Sequence, residues 1–189
     1  MFYRKIQLDT QQKKALYSYV ILLLIVSSYH AFSLHIIRYF IPFLLISASY
    51  ALQKKINLRF NVRGALAGII ASAAILAPFG YILSLTGKSF ELMPLKGLLF
   101  QLIGASFPEE LYFRGALQER FGNNIKGIFI ASLLFSLMHL PRLIFFGDVY
   151  SVMTFFPSLI MGYLYMRTGN ILPSIIFHFS ANVVFLGFY

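Results

Sequence analysis

The chain is an almost unbroken succession of apolar blocks, each long enough to approach or cross a bilayer and separated from the next by a short polar link. In lipid every backbone N–H and C=O must be bonded within the protein, so only helices or a closed barrel can span, and blocks of this length are helical. They run from Leu16 to about Leu34, Ile36 to Leu52, Gly64 to Thr86, Gly97 to about Arg120, Gly127 to about Gly147, Val149 to Met166, and Ile171 to Tyr189. The pattern predicts an all-α fold, a polytopic transmembrane bundle of about seven helices, with a range of six to eight because the link between the first two blocks (Tyr29, His30, His35, Arg38) is barely polar. The first block is long for a signal-peptide core and lacks a small-x-small cleavage site, so it reads as an uncleaved span. No linker, repeat or low-complexity stretch interrupts the series, which predicts one integral membrane domain over residues 1–189.

Composition narrows the function classes. With 59% hydrophobic and 12% charged residues and a mean hydropathy of +0.76, a soluble enzyme and a disordered chain are both excluded. Cysteine is absent, which removes disulfides, thiolate metal sites and a Cys nucleophile. The net charge of +10 would suggest a nucleic-acid partner in a soluble protein. Here the basic residues form short clusters between apolar blocks, where anionic headgroups account for them, so the expected partner is the lipid bilayer and not nucleic acid. A cytoplasmic N-terminus puts Arg4, Lys5, Lys13, Lys14, Lys54, Lys55, Arg59, Arg63, Arg120, Lys126 and Arg167 on the inner side, against Arg38, Lys88, Lys96 and Arg142 outside. That asymmetry predicts an N-in, C-out topology, and the basic start without a targeting tail suits a prokaryotic plasma membrane.

One stripe reads as architecture. Gly64, Gly68 and Ser72 lie four apart in the third block, the spacing of a helix-packing face.

The ionisable residues inside apolar blocks are the candidates for chemistry. A charge at bilayer depth costs at least about 2.5 to 3.5 kcal/mol on insertion scales, so it faces a partner or a wet cavity. The fourth block carries Pro108-Glu109-Glu110 and Arg114, the fifth His139, the seventh His178 and Asn182. Glu110 and Arg114 are four apart and can pair on one helix face, a structural support, whereas Glu109 points about 100° away from Glu110 and keeps no local counter-ion. Glu109 is therefore the candidate general base. His178 and Asn182, also four apart, project from one face. From the cytoplasmic helix ends Glu109 lies ~16 Å deep, His139 ~18 Å and His178 ~12 Å, so three remote stretches reach one layer. A carboxylate and imidazoles in a wet intramembrane pocket suit activation of water, with Glu109 as base, His139 as its partner or a metal ligand, and His178 with Asn182 as donors to a developing oxyanion. Hydrolysis of an acyl bond is the reaction such a set performs.

Each residue also has a structural reading. Ser106-x-x-Glu109 fits a capping box with Pro108 in a first helical turn. His139 precedes Leu140-Pro141 and could satisfy carbonyls freed by the proline, Asn182 could bridge helices, and Phe135 reads as packing.

At these residues the sequence resembles the CPBP family, the CAAX prenyl proteases and bacteriocin-processing enzymes that include the Ras-converting type. The family pattern of Glu-Glu-x-x-x-Arg, Phe-x-x-x-His and His-x-x-x-Asn appears here in order, as Glu109-Glu110-x-x-x-Arg114, Phe135-x-x-x-His139 and His178-x-x-x-Asn182. Residues 97–189 would carry the catalytic core of an intramembrane endopeptidase acting on a membrane-associated protein or peptide. The resemblance implies that Glu109 and His139 activate the water and that His178 and Asn182 stabilise the oxyanion. It leaves two chemistries open, a metal-free site or a zinc ion (Zn2+) held by Glu109, His139 and His178. A CAAX tail, a bacteriocin leader, an anti-sigma factor and a C-terminal sorting tail all remain as substrates. The alternative readings are a non-catalytic membrane scaffold or immunity protein of the same family, and a transporter subunit, the latter opposed by the lack of correspondence between the two halves of the chain.

Overall fold

The computed structural model describes residues 8–53 and 60–188, and among them the chain is helical throughout, in seven helices. Asp9 opens α1 (Thr10–Ala31): its carboxylate accepts from the Gln12 N–H and the Gln12 side chain accepts from the Asp9 N–H, a reciprocal cap. A short turn separates α1 from α2 (Ile37–Leu52), so the barely polar link does break the helix. Asn61 caps α3 (Val62–Leu85). Helix α4 runs without interruption over 95–121, Asn124 caps α5 (Ile125–Phe146), Asp148 caps the tight first turns of α6 (Val149–Thr168), and α7 is Leu172–Phe188. Gly147 and Gly169 end α5 and α6 at φ 69° and 60°, a left-handed turn that glycine adopts without strain.

By length and composition α1, α3, α5 and α6 are apolar enough to cross a membrane. The two shorter apolar helices, α2 with 16 residues and α7 with 17, reach about 24 to 26 Å at 1.5 Å per residue, close to the ~30 Å hydrocarbon core. Helix α4 stands apart because it carries the buried charges.

The helices alternate in direction. At one end Gln12 at the start of α1 donates to the Arg120 carbonyl at the end of α4, Arg120 in turn bonds the Leu52 carbonyl at the end of α2, and Tyr165 of α6 donates to Glu119. At the other end His30 meets Phe146 edge to face, Arg38 lies over Phe100, and Tyr150 packs near Phe185. Arg4, Lys5, Lys54, Lys55 and Arg59, part of the charge asymmetry, lie outside the described residues.

The core is mainly apolar, with Phe113, Leu117, Phe135 and Phe177 buried, but the outer surface is apolar as well and small polar residues lie inside. Leu24, Ile70 and Ile103 are each more than 60% exposed, while Ser49, Ser72, Ser132, Ser158 and Ser174 are buried. Small side chains permit close helix approach, and some hydroxyls tie helices together: Ser174 donates to the Met161 carbonyl at 2.7 Å, joining α7 to α6, and the Tyr19 phenol donates to the Leu134 carbonyl at 2.9 Å, joining α1 to α5. On α3 the buried residues are Gly64, Gly68, Ser72 and Leu76. A Cβ at Gly68 would lie 2.8 Å from the Pro173 carbonyl oxygen of α7, so this stripe is a packing face, and it seats the helix that carries His178 and Asn182.

Candidate active site

Helix α4 does not start at Ser106. Ser106 and Phe107 are both helical, and the Ser106 hydroxyl caps nothing, so the expected capping box is absent. A proline inside a helix removes one backbone bond and crowds the preceding turn. The chain absorbs this with wide π-helical turns over Phe100–Ser106 and Leu111–Gln118, flanking the short stretch Phe107–Glu110 that holds Pro108 and both glutamates. Such turns shift the register of the side chains on either side.

The two glutamates separate as the helix geometry requires. Glu110 is fully buried, and its Oε2 accepts from Arg114 Nε at 2.9 Å. Arg114 is itself fully buried, donates to the Ser158 hydroxyl of α6 at 2.9 Å, and holds its guanidinium 5.5 Å from the Phe135 ring centre. Glu109 keeps 22% of its side chain exposed and turns toward a cavity.

Glu110 has a second partner that the sequence reading did not assign. Its Oε1 lies 3.0 Å from His178 Nδ1, while His178 Nε2 stands 3.7 Å from Glu109 Oε2. A carboxylate can only accept, so Nδ1 carries the proton and the ring is fixed with Nε2 toward Glu109. One buried carboxylate thus orients both Arg114 and the imidazole.

His139 sits where α5 tightens. Its backbone N–H bonds the Ser136 carbonyl, one residue closer than an α-helical partner, which leaves the Phe135 carbonyl free, and His139 Nδ1 takes it at 2.9 Å. The imidazole therefore satisfies a carbonyl freed by this tightening rather than one freed by Pro141, and the same bond fixes the tautomer, with the lone pair on Nε2. Phe135 is the common wall: its ring lies 4.9 Å from His139, 5.6 Å from His178 and 4.9 Å from Phe113, centre to centre.

Asn182 also bridges helices, donating from Nδ2 to Gln101 Oε1 of α4 at 3.0 Å. In the sequence Gln101 stands out as the one amide in the apolar run 97–107, eight residues before Glu109, but it carries no charge to mark it as a candidate.

Glu109, His139, His178 and Asn182 all line one cavity of about 390 Å³ between α1, α2, α4, α5, α6 and α7, closed on its apolar side by Leu45, Phe113, Phe135 and Met161. The mouth carries Arg38, Arg142 and Asp148, the last two paired at 3.0 Å. Among the described residues no group of three or more His, Asp or Glu side chains stands close enough to hold one ion. As arranged, Glu109, His139 and His178 are not gathered as a three-ligand set.

No curated protein and no solved structure matches the chain. Residues 91–184 match the family described as type II CAAX prenyl endopeptidase, Rce1-like. The match opens six residues before the expected core and ends just beyond Asn182, so it takes in α4, α5, α6 and most of α7 with every residue of the cluster above. Through this segment, which holds the buried charges of the bundle, the chain belongs to the Rce1-like family of type II CAAX prenyl endopeptidases, proteases of the membrane.

Proposed function

We propose that this protein is an intramembrane endopeptidase that hydrolyses a peptide bond in a membrane-associated protein or peptide, with a water activated by Glu109 and His139. The observation that carries the reading is the shared cavity: the more open glutamate, an imidazole whose Nε2 holds the lone pair, and two further nitrogen-bearing side chains line one space with an apolar wall. Glu109 takes a proton from the water as its oxygen attacks the scissile carbonyl carbon, and His139 Nε2 accepts from the same water and orients it. Asn182 Nδ2, and His178 Nε2 when the ring carries both protons, donate to the carbonyl oxygen as it becomes an oxyanion. The proton held by Glu109 then passes to the leaving nitrogen as the C–N bond breaks, giving a carboxylic acid and an amine.

Glu110 and Arg114 support the site rather than touch the substrate. The whole chain acts as one membrane unit in this account, since α3, outside the matched segment, seats α7. Lys13, Lys14, Arg63, Arg120, Lys126 and Arg167 belong to the helix ends opposite the cavity mouth, which supports an N-in topology, and the membrane proposed is a prokaryotic plasma membrane. The family name suggests the first substrate to try, a farnesylated CAAX peptide.

The test is mass spectrometry of that peptide after incubation with the protein in liposomes. Two fragments whose masses add to the substrate plus one water, absent with His139→Ala, are expected. Intact peptide with folded wild-type protein, repeated with a leader-type peptide, would favour the non-catalytic scaffold.

A further inference from the structure

Two polar ties join α4 to α7 across the cavity. One is the Glu109 and Glu110 pair facing His178, and the other is Gln101 with Asn182. Gln101, Ala105 and Glu109 follow one another at four-residue steps, and all three line the cavity, as do Asn182 and His178 at the same step on α7. Gln101 is only half-buried, and a half-buried amide in a wet cavity has no need of a protein partner. Its oxygen nevertheless stands 3.0 Å from Asn182 Nδ2, and the donor is the atom the proposed reaction uses.

We infer that Gln101 is a positioning residue of this site: by accepting one Nδ2 hydrogen it fixes the rotation of the Asn182 amide, so that the other Nδ2 hydrogen is delivered into the cavity. The inference rests on the oxyanion role of Asn182. An Asn side chain turns about χ2 in a broad, nearly two-fold well, so without a partner it presents its oxygen to the cavity about as readily as its nitrogen. An oxygen there repels an oxyanion. Accepting one hydrogen bond selects the donor face before substrate arrives, which is the preorganisation that makes such donors effective.

The experiment is a double-mutant cycle on cleavage of the farnesylated CAAX peptide in liposomes, with kcat and KM determined separately. Asn182→Ala should lower kcat by about a hundredfold, the loss seen on removal of one oxyanion donor. Gln101→Met, of similar length and without an acceptor, should lower kcat about tenfold and leave KM within about twofold, because the donor face of Asn182 is needed only as charge develops. The double variant should be no slower than Asn182→Ala, since Gln101 acts through that amide. Gln101→Glu, which keeps the acceptor, should stay within about threefold of wild type and controls for a folding defect in the Met variant.

Multiplying losses in the double variant, an unchanged kcat in Gln101→Met, or a Gln101→Glu enzyme as slow as Gln101→Met would each overturn the inference. Full activity in Asn182→Ala would instead remove the oxyanion role on which it rests, as would intact peptide after incubation with folded wild-type protein.

Discussion

His178 Nδ1 lies 3.0 Å from Glu110 Oε1, and the other oxygen of that carboxylate is held by Arg114 at 2.9 Å. A fully buried carboxylate therefore joins an ion pair within α4 to an imidazole on α7. Removing its charge should disturb both. Glu110→Gln keeps the volume but leaves Arg114 without a counter-charge and allows the His178 ring to change tautomer or turn. The expected outcome is a lower unfolding midpoint in detergent together with loss of peptide cleavage. A variant as stable as wild type and fully active would mean that neither partner depends on the charge.

Arg114→Ala tests the same network from its cationic side. Breaking a buried pair by removing one partner costs about 3 to 5 kcal/mol, because the remaining charge is left unpaired in a low-dielectric interior. The variant should be poorly expressed or melt well below wild type, with activity falling alongside. Normal stability combined with no activity would move Arg114 from support of the site into the reaction itself.

Helix α3 lies outside the matched segment, yet it fixes where α7 sits. A Cβ at Gly68 meets the Pro173 carbonyl oxygen at 2.8 Å and the Ile176 Cβ at 2.9 Å, so backbone or branch-point atoms would have to move. Gly68→Leu should destabilise the protein by about 1 to 3 kcal/mol and reduce cleavage by displacing His178 and Asn182 together. Thermal unfolding and cleavage rate check the two effects, and a Gly68→Leu protein with wild-type values of both would show that α3 does not seat α7.

Much of this was readable from the chain. Block lengths point to the helices, since a bilayer leaves few other choices, and the ionisable residues inside them point to the cavity that Glu109, His139 and His178 line, because each is costly in lipid. Four-residue spacings paired Glu110 with Arg114 and set His178 on one face with Asn182. Other features depended on what was adjacent in space. Nothing in the sequence says that the far oxygen of Glu110 meets α7, that Ser158 receives Arg114, or that Gln101 meets Asn182, because these contacts join residues 44 to 81 positions apart. The capping box at Ser106 failed for a local reason: wide turns on both sides of Pro108 let the helix run through a residue that more often starts one.

Metal dependence has its own measurement. With Glu109, His139 and His178 not gathered as a three-ligand set, cleavage should be indifferent to prolonged treatment with a strong chelator. Loss of activity restored by added zinc, with one zinc per chain in the purified protein, would show that these side chains close on an ion in the working enzyme.

The central claim is that Glu109 is the base. Glu109→Gln changes one oxygen for an amide nitrogen at nearly constant volume, in a side chain that makes no buried ion pair with Arg114, so the variant should insert, fold and bind peptide as wild type does. The decisive measurement is the cleavage rate of the farnesylated CAAX peptide by wild type and Glu109→Gln reconstituted side by side in liposomes, with unfolding midpoints matched. Loss of a positioned general base slows a reaction by about 10² to 10⁴, so a fall of at least a hundredfold at unchanged stability is the predicted result. Equal cleavage by the two proteins would contradict the account.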